Sequence, residues 1–274
     1  MYVRLSLLLS LVASAVVCVV AYPTLSPFWA PLLFVGGFVG FQLLFALYLI
    51  LSTLLISKKE PEHPSPYAQL SCLFALDWFL ALFNIHVHVV GDKALPKEPV
   101  VLVSNHRSFL DPVCIYTALP KRRMAFVAKA SVRRYPVVGA HTLQAGFLFI
   151  ERDKPLQGLR VMNRAARFVK EDGIDYGIFP EGTRSRDGSL LPYKSGAFLA
   201  AKKAGAPVAI FTLHGTHGAF RALPILPAHV YLRLEEIIPA DRVQEMTPDE
   251  LAEYSHAVTE KALSERPLPV KKKK

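Results

Sequence analysis

The chain has 274 residues, of which 52% are hydrophobic and 20% are charged, and its formal net charge is +10. This composition excludes a disordered or acidic-tail protein and allows one sizeable core. The charge is uneven, because Arg4 is the only charged side chain in residues 1–57 and the rest of the chain is basic. The sequence therefore predicts an apolar N-terminal segment followed by a basic globular domain.

Two long uncharged stretches, residues 5–22 and 28–57, lie near the start of the chain. Each approaches or exceeds the roughly 20 residues with which a helix crosses a hydrocarbon core. The two prolines of residues 23–27 indicate a turn, so residues 1–57 are predicted to form a transmembrane or membrane-embedded helical hairpin. Gly36 and Gly40 have the spacing of a close helix contact.

The charges that flank the hairpin predict its orientation. Arg4 precedes it and Lys58 and Lys59 follow it, so the positive-inside rule predicts that the globular domain faces the cytoplasm. A cleaved signal peptide is the alternative, because residues 13–15 resemble a small-residue cleavage site. The apolar run continues to Val20, which favours an uncleaved membrane anchor.

The three cysteines, Cys18, Cys72 and Cys114, are an odd number and lie far apart in apolar surroundings. This spacing supports neither a disulfide framework nor a Cys-x-x-Cys zinc or redox motif. The cysteines are therefore predicted to be reduced, as in a protein that faces the cytosol.

Residues 58–66 carry charges and three prolines and are predicted to be a linker that separates the hairpin from the domain. Residues 67–83 form a predicted helix that is apolar nearly all round, so it lies either in the core or half sunk in a bilayer. The predicted domain covers residues 67–265, and residues 266–274 form a basic, solvated tail.

From residue 85 onward, short β-branched runs alternate with helical segments, which is the pattern of an α/β domain. The predicted strands are residues 85–90, 100–103, 124–127, 146–150, 176–179, 208–212 and 230–234. The predicted helices are residues 108–119, 155–170, 195–204 and 248–264.

A first group of reactive side chains lies where a predicted strand ends and a helix begins. His106 follows the strand at residues 100–103, and Asp111 comes five residues later. If His106 lies in the turn and Asp111 in the first helical turn, the carboxylate reaches an imidazole nitrogen. Such a pair fixes the tautomer and leaves the other nitrogen free as a general base.

A second group follows the strand at residues 176–179. Its turn contains Glu181, Gly182, Thr183 and Arg184. Glycine permits close backbone approach to a ligand, and a guanidinium can bind a phosphate through two parallel hydrogen bonds. Arg152 ends another strand, so three strand ends present a base and two phosphate-binding arginines.

These residues resemble the 1-acylglycerol-3-phosphate acyltransferase family. The motif Asn-His-x-Ser-x-x-Asp matches residues 105–111, and Phe-Pro-Glu-Gly-Thr-Arg-Ser matches residues 179–185 without change. Pro136, Gly139 and Gly146 match the family's approach to its middle motif. The resemblance covers approximately residues 67–234.

Two positions depart from the family pattern. The middle motif ends in Glu151-Arg152 where Asp-Arg is usual, which is a mild change. Lys129 is followed by Ala-Ser-Val where the family often has x-Glu-Leu.

The resemblance implies a glycerol-3-phosphate acyltransferase-like fold, a mixed α/β sheet flanked by helices behind the membrane hairpin. It implies that the acceptor's sn-2 hydroxyl, deprotonated by a histidine, attacks acyl-CoA or acyl-carrier protein directly and gives phosphatidic acid. It implies no metal or other cofactor, and its partners are membrane lipid and lysophosphatidic acid. The implied catalytic residues are His106 and Asp111, and the implied substrate-binding residues are Lys129, Arg152, Glu181, Gly182, Thr183 and Arg184.

Other classes of function fit less well. The sequence has no Gly-x-Ser-x-Gly nucleophile elbow, which argues against a serine hydrolase, and it has no P-loop motif. The histidine pairs at residues 86 and 88 and at 214 and 217 have no nearby Cys or carboxylate partners for a metal. A non-enzymatic lipid-binding or scaffold protein remains open, as does another acceptor: glycerol-3-phosphate, another lysophospholipid or a lyso-aminolipid. The net charge would also suit nucleic acid, but no nucleic-acid partner is predicted.

Overall fold

The computed structural model describes residues 2–20, 27–151, 155–185, 187–220 and 226–265. Within these ranges the helices are α1 (Tyr2–Val20), α2 (Ala30–Leu55), α3 (Pro66–Leu82), α4 (Leu110–Ala118), α5 (Val138–Gln144), α6 (Pro155–Asp172), α7 (Leu199–Ala204), α8 (Ala240–Glu245) and α9 (Pro248–Glu265). The strands are β1 (Ile85–Val90), β2 (Val101–Ser104), β3 (Met124–Lys129), β4 (Leu148–Ile150), β5 (Asp175–Ile178), β6 (Val208–His214) and β7 (Ala228–Ile238). Short 3-10 helices cover Pro27–Trp29, Ala130–Arg134 and Ser195–Phe198.

The seven strands form one mixed sheet in the order β1-β7-β6-β2-β5-β3-β4. Strands β2 to β6 run parallel, β7 is antiparallel to β6, and β1 is parallel to β7. The predicted mixed α/β sheet is therefore confirmed. Because β2 to β6 are parallel, their carboxyl ends meet at one edge, where ligands bind in open α/β sheets.

The centre of the sheet is fully buried. Every residue of β2 and β5 is buried, which explains their apolar composition. Gly177 of β5 is required by packing, because a Cβ there would lie 2.1 Å from the ring of Phe126 on neighbouring β3. The Phe126 ring thus packs directly on the backbone of β5, close to the carboxyl end of that strand.

Helices α1 and α2 pack together as the predicted hairpin, but the predicted glycine contact is wrong. A Cβ on Gly36 or Gly40 would meet nothing within 4 Å, whereas one on Gly37 would lie 3.7 Å from the Ser10 Cβ. Among the described residues, α2 is the one helix long and apolar enough to cross a membrane, and the apolar part of α1, Leu5–Val20, is shorter.

The hairpin is hydrogen-bonded to the domain through Gln42. Its amide nitrogen donates to the Ser6 hydroxyl at 2.9 Å, and its amide oxygen accepts from the Trp78 indole of α3 at 2.9 Å. One side of α3 is buried, whereas Tyr67 and Leu70 are exposed. Helix α3 therefore connects the hairpin with the core.

A second polar contact between hairpin and domain is formed by buried His141 of α5. Its two ring nitrogens lie 3.0 Å from the Ser52 hydroxyl of α2 and 3.2 Å from the Ser71 hydroxyl of α3. Burial lowers the pKa of His141, so a neutral imidazole between two hydroxyls is the favoured form.

The predicted linker at residues 58–66 does not separate hairpin from domain. Residues 58–65, here called the strap, run along the domain surface, where Glu60 pairs with Arg133 and with Arg164 of α6. The Ser65 amide donates to the Gln144 carbonyl at 2.8 Å. Charges that look solvated in the sequence find partners on α6 and beside α5.

Candidate active site

The turn that carries His106 is anchored to the sheet by the residue before it. The Asn105 side chain donates to the Leu213 carbonyl at 2.9 Å and accepts from the Leu213 amide at 2.8 Å. This two-way bond ties the end of β2 to the end of β6, although the sequence offers no direct sign of it. His106 therefore starts from a rigid strand end at the carboxyl edge.

His106 and Asp111 form the predicted pair. The His106 Nδ1 lies 2.8 Å from the Asp111 Oδ2, which also accepts from the backbone amides of Arg107 at 2.6 Å and Ser108 at 2.8 Å. The Asp111 side chain is buried, while that of His106 keeps 15% of its surface exposed. An acceptor at Nδ1 places the proton there and leaves the lone pair on Nε2.

The imidazole and the backbone of His106 are both held by the turn after β5. Its ring stacks on Phe179 with centroids 4.2 Å apart. Its amide donates to the Glu181 Oε1 at 2.6 Å, and its carbonyl accepts from the Ser185 amide at 2.9 Å. The two sequence motifs are therefore physically joined.

The turn after β5 contains both buried and exposed side chains. Glu181 is buried, and burial raises its pKa to about 7. Gly182 has φ +67°, and a Cβ there would lie 3.2 Å from the Lys194 Nζ. Thr183 and Arg184 are exposed. Among the residues the structure describes, none accepts a hydrogen bond from the Arg184 guanidinium, so that group is available to a ligand.

The other predicted cations belong to the next strands of the sheet. Lys129 is the last residue of β3 and is exposed. Arg152 lies outside the described residues, two positions after the end of β4. Since β2, β5, β3 and β4 are parallel neighbours, His106, the turn of Arg184 and Lys129 share one edge.

The Pro-x-x-Gly motif has a steric explanation. Val137 has φ +64°, an uncommon value for a β-branched residue, and the Val138 amide donates to the Pro136 carbonyl at 2.6 Å. A Cβ on Gly139 would lie 2.1 Å from the Arg133 carbonyl oxygen. This tight turn follows β3 and is a strained segment near the edge that carries the site.

Gly146, which ends the Pro136–Gly139–Gly146 motif, contacts the strap. It has φ +95°, and a Cβ there would lie 2.7 Å from the Pro64 Cγ. The absent side chain therefore makes room for Pro64, so the strap and the start of β4 pack directly together.

The sequence interpretation did not single out Arg107, the variable residue of the first motif. Its guanidinium lies against Gly188, where a Cβ would be 2.2 Å from one terminal nitrogen. Its Nε is buried without a hydrogen-bond partner among the described residues. A positive charge next to His106 is visible in the sequence, but its packing against Gly188 is not.

Of the histidines considered as metal ligands, His86 and His88 lie on β1, three strands from β2, whereas His214 lies at the carboxyl edge that carries His106. His88 of β1 and His229 of β7 approach with ring nitrogens 2.9 Å apart, and His86 bonds the Asn84 side chain. Within the described ranges, no three His, Cys, Asp or Glu side chains are arranged to hold a metal ion. His214 at the end of β6 is half-buried, and burial lowers its pKa.

This arrangement is suited to removing a proton from a substrate that also carries a negatively charged group. A neutral imidazole with a free Nε2, oriented by a buried carboxylate, is suited to general-base catalysis. The exposed Arg184, in the turn after the adjacent strand β5, is suited to a phosphate. The sequence profile of the Acyltransferase family matches residues 86–214, the segment that carries these groups. Fold, site and profile together are similar to those of acyltransferases.

The curated relatives specify the family. The chain is 30% identical over 192 residues to the 1-acyl-sn-glycerol-3-phosphate acyltransferase of Haemophilus influenzae, covering 69% of this chain and 80% of that protein. It is 31% identical over 178 residues to the enzyme of that name from Limnanthes douglasii, of whose length it spans 60%. The chain belongs to the 1-acyl-sn-glycerol-3-phosphate acyltransferase family.

A solved structure has the same fold. It is the 1-acyl-sn-glycerophosphate acyltransferase PlsC from Thermotoga maritima, which is 22% identical in sequence and superimposes with a TM-score of 0.60. The match covers 96% of this chain and 97% of that one, so the hairpin and the domain are both part of the shared fold.

Replacing Asp111 by asparagine is expected to keep the fold and lower the acyl-transfer rate by roughly 10²-fold or more, the range of a general base. An amide oxygen can still accept the three hydrogen bonds at the Oδ2 position, but it carries no charge to stabilise the imidazolium. Steady-state kinetics of purified protein test this, with Asp92→Asn, an exposed carboxylate, as control. A wild-type rate in the Asp111 variant would show that the pair is structural.

Proposed function

We propose that the protein transfers an acyl chain from acyl-CoA or acyl-carrier protein to the sn-2 hydroxyl of 1-acylglycerol-3-phosphate and so forms phosphatidic acid. The observation that carries this proposal is the 2.8 Å bond between His106 Nδ1 and buried Asp111, with the exposed Arg184 in the turn after neighbouring β5. The names of the curated relatives support the same acceptor.

In the proposed reaction, His106 Nε2 takes the proton of the acceptor hydroxyl as its oxygen attacks the thioester carbonyl. The tetrahedral intermediate collapses, the C–S bond breaks, and the imidazolium returns the proton to the leaving thiolate. Asp111 stabilises the imidazolium and holds the ring orientation. The thioester supplies the driving force, so we propose that neither a metal nor an organic cofactor is required.

The acceptor phosphate is proposed to bind Arg184 and Arg152, with Lys129 as a further cation, while Gly182 and Thr183 shape the acceptor site. Two backbone amides of the turn already have partners, since Gly182 donates to the Phe179 carbonyl and Ser185 to the His106 carbonyl. These two amides are therefore not donors to the oxyanion.

The test of the proposed function is a competition among acceptors. Purified full-length protein is offered lysophosphatidic acid, glycerol-3-phosphate, lysophosphatidylcholine and a lyso-aminolipid together, with acyl-CoA or acyl-carrier protein as donor. Mass spectrometry of the products is expected to show mainly phosphatidic acid. Preferential acylation of an acceptor without a phosphate monoester would contradict the proposal, and no transfer to any acceptor would favour a lipid-binding protein.

We propose that the protein is bound to a membrane through its hairpin, with the catalytic domain on the cytoplasmic side. The exposed apolar surface of α2 supports the membrane attachment, and the lysines after the hairpin support the orientation. Cysteine labelling tests this orientation, with Lys59→Cys, at an exposed position, in a Cys18→Ser background. Modification of this cysteine from the non-cytoplasmic side would overturn the orientation.

Deleting residues 1–57 is expected to reduce activity on lysolipid in vesicles more than activity on detergent-dispersed lysolipid. The deletion removes the membrane-binding surface and leaves the site residues in place, but it also removes Gln42, the partner of Trp78, and Ser52, one of the two hydroxyls that contact His141. We therefore expect a lowered melting temperature as well. Activity ratios on the two substrates, compared with those of the full chain, test the prediction, and equal loss on both would assign the hairpin a purely structural role.

A further inference from the structure

Glu181 stands in the motif that the acceptor is expected to meet, yet both of its carboxylate oxygens are occupied by backbone amides. Oε1 accepts from His106 at 2.6 Å, and Oε2 accepts from Leu191 at 3.1 Å. Its side chain is buried, whereas Thr183 and Arg184 on the same turn are exposed. Both oxygens of this carboxylate already accept hydrogen bonds, and its negative charge has the same sign as that of the acceptor phosphate. It is therefore a poor ligand for that phosphate.

We propose that Glu181 is a positioning residue for His106 and takes no part in binding the acceptor. This inference rests on the proposed function, in which His106 is the base and Arg184 binds the phosphate. Glu181 acts through the backbone: it holds the amide of His106, and the Ser185 amide holds the His106 carbonyl at 2.9 Å. We call these two bonds the clamp.

The clamp also fixes the distance between the base and the phosphate-binding cation. Arg184 lies between Glu181 and Ser185 in sequence, so both sides of its short turn are tied to His106. The Leu191 bond fastens the Glu181 carboxylate to the returning part of the loop. Movement of the base relative to the acceptor hydroxyl is therefore restricted, which is where a displacement of about 1 Å can cost roughly 10²-fold in rate.

The ionisation of Glu181 bears on the clamp. Burial raises the pKa of Glu181 to about 7 and the Asp111 charge also raises it, while the two backbone bonds and Arg107 lower it. The other ionisable groups nearby are Tyr193 and Lys194. Protonation puts an O–H where an amide N–H needs an acceptor, so one of the two bonds that Glu181 accepts, from His106 or from Leu191, weakens as pH falls through about 7.

The test is Glu181→Gln in the full-length protein. Glutamine has nearly the same shape but only one acceptor oxygen, so it resembles the protonated acid at every pH. We expect kcat to fall roughly 10- to 100-fold, with the acceptor KM within about threefold, and the acid limb of the kcat profile to become less steep. Glu181→Asp retains the charge but is one methylene too short, and it is expected to show the same split between kcat and KM.

Asp187→Asn is the matched control, because this exposed carboxylate lies in the same loop and, among the described residues, accepts hydrogen bonds from its neighbours Ser185 and Ser189 and not from His106. Its kcat and KM are expected to stay within about threefold of wild type, the range of ordinary surface substitutions. A tenfold rise in acceptor KM at unchanged kcat in Glu181→Gln would make Glu181 an acceptor ligand and overturn the proposal.

A second measurement does not depend on activity. Amide hydrogen exchange followed by mass spectrometry is expected to show faster exchange at His106 in Glu181→Ala, which has no acceptor oxygen, with unchanged exchange in the buried strand Val101–Ser104. Unchanged exchange at His106 would contradict the clamp. If wild type acylates no lysolipid but the exchange still changes, the proposed function fails and the structural clamp stands.

Discussion

Replacing His106 by alanine is expected to lower the acyl-transfer rate by roughly 10²–10⁴-fold, the usual contribution of a general base. The Nε2 atom is the group proposed to take the proton of the acceptor hydroxyl, and the nearest carboxylates cannot replace it. Asp111 is buried and bonded to two backbone amides, and Glu181 is bonded to two others. Single-turnover measurements with excess enzyme would report the chemical step directly.

The fold of the His106→Ala protein should survive, because the bonds to Glu181 and Ser185 involve only the backbone of residue 106. The variant loses the stacking on Phe179 and leaves Asp111 two of its three hydrogen bonds. His86→Ala, an exposed histidine on β1, is the control for removing an imidazole. Near-normal turnover by a well-folded His106→Ala protein would refute the mechanism.

The sheet and the first site pair could be predicted from sequence because each depends on local information. All seven predicted strands are present, since buried parallel strands appear as short apolar runs between turn residues. His106 and Asp111 can form a hydrogen bond across five residues because the Asp111 carboxylate folds back over the start of α4.

The short helices were not predicted, because they are made by their surroundings. Helix α5 has seven residues and α8 has six, too few for a periodic apolar pattern. The predicted helix at residues 195–204 is divided into a 3-10 turn and α7. In each case tertiary contacts decide the conformation, and a single sequence does not contain them in readable form.

Contacts between distant charges and amides were also beyond the sequence. The prolines and charges of the strap are typical of a solvated linker, yet Glu60 pairs with Arg164 more than one hundred positions later. Glu181 is predicted to bind substrate because its neighbours suit a phosphate, and its bond to the His106 amide is what leads us to propose a positioning role instead. Sequence patterns identify which residue types are present at the edge but not which of them face the ligand.

Replacing Arg184 by alanine is expected to raise the apparent KM for lysophosphatidic acid by roughly 10- to 100-fold, because a hydrogen bond to a charged group contributes about 1.5–3 kcal/mol. The KM for the acyl donor should change much less. The guanidinium is exposed and bonds to none of the described residues, so its removal leaves the folded protein without a broken internal contact. The measurement is a pair of saturation curves, one for each substrate.

Arg184→Lys separates charge from geometry. Lysine retains the positive charge but cannot form two parallel hydrogen bonds to one phosphate, so it should restore the acceptor KM only in part. Arg160→Ala, an exposed arginine on α6, controls for the loss of a positive charge and should leave both constants near wild type. If the donor KM rose and the acceptor KM did not, Arg184 would bind the donor, and the phosphate site would have to be sought around Lys129 and Arg152.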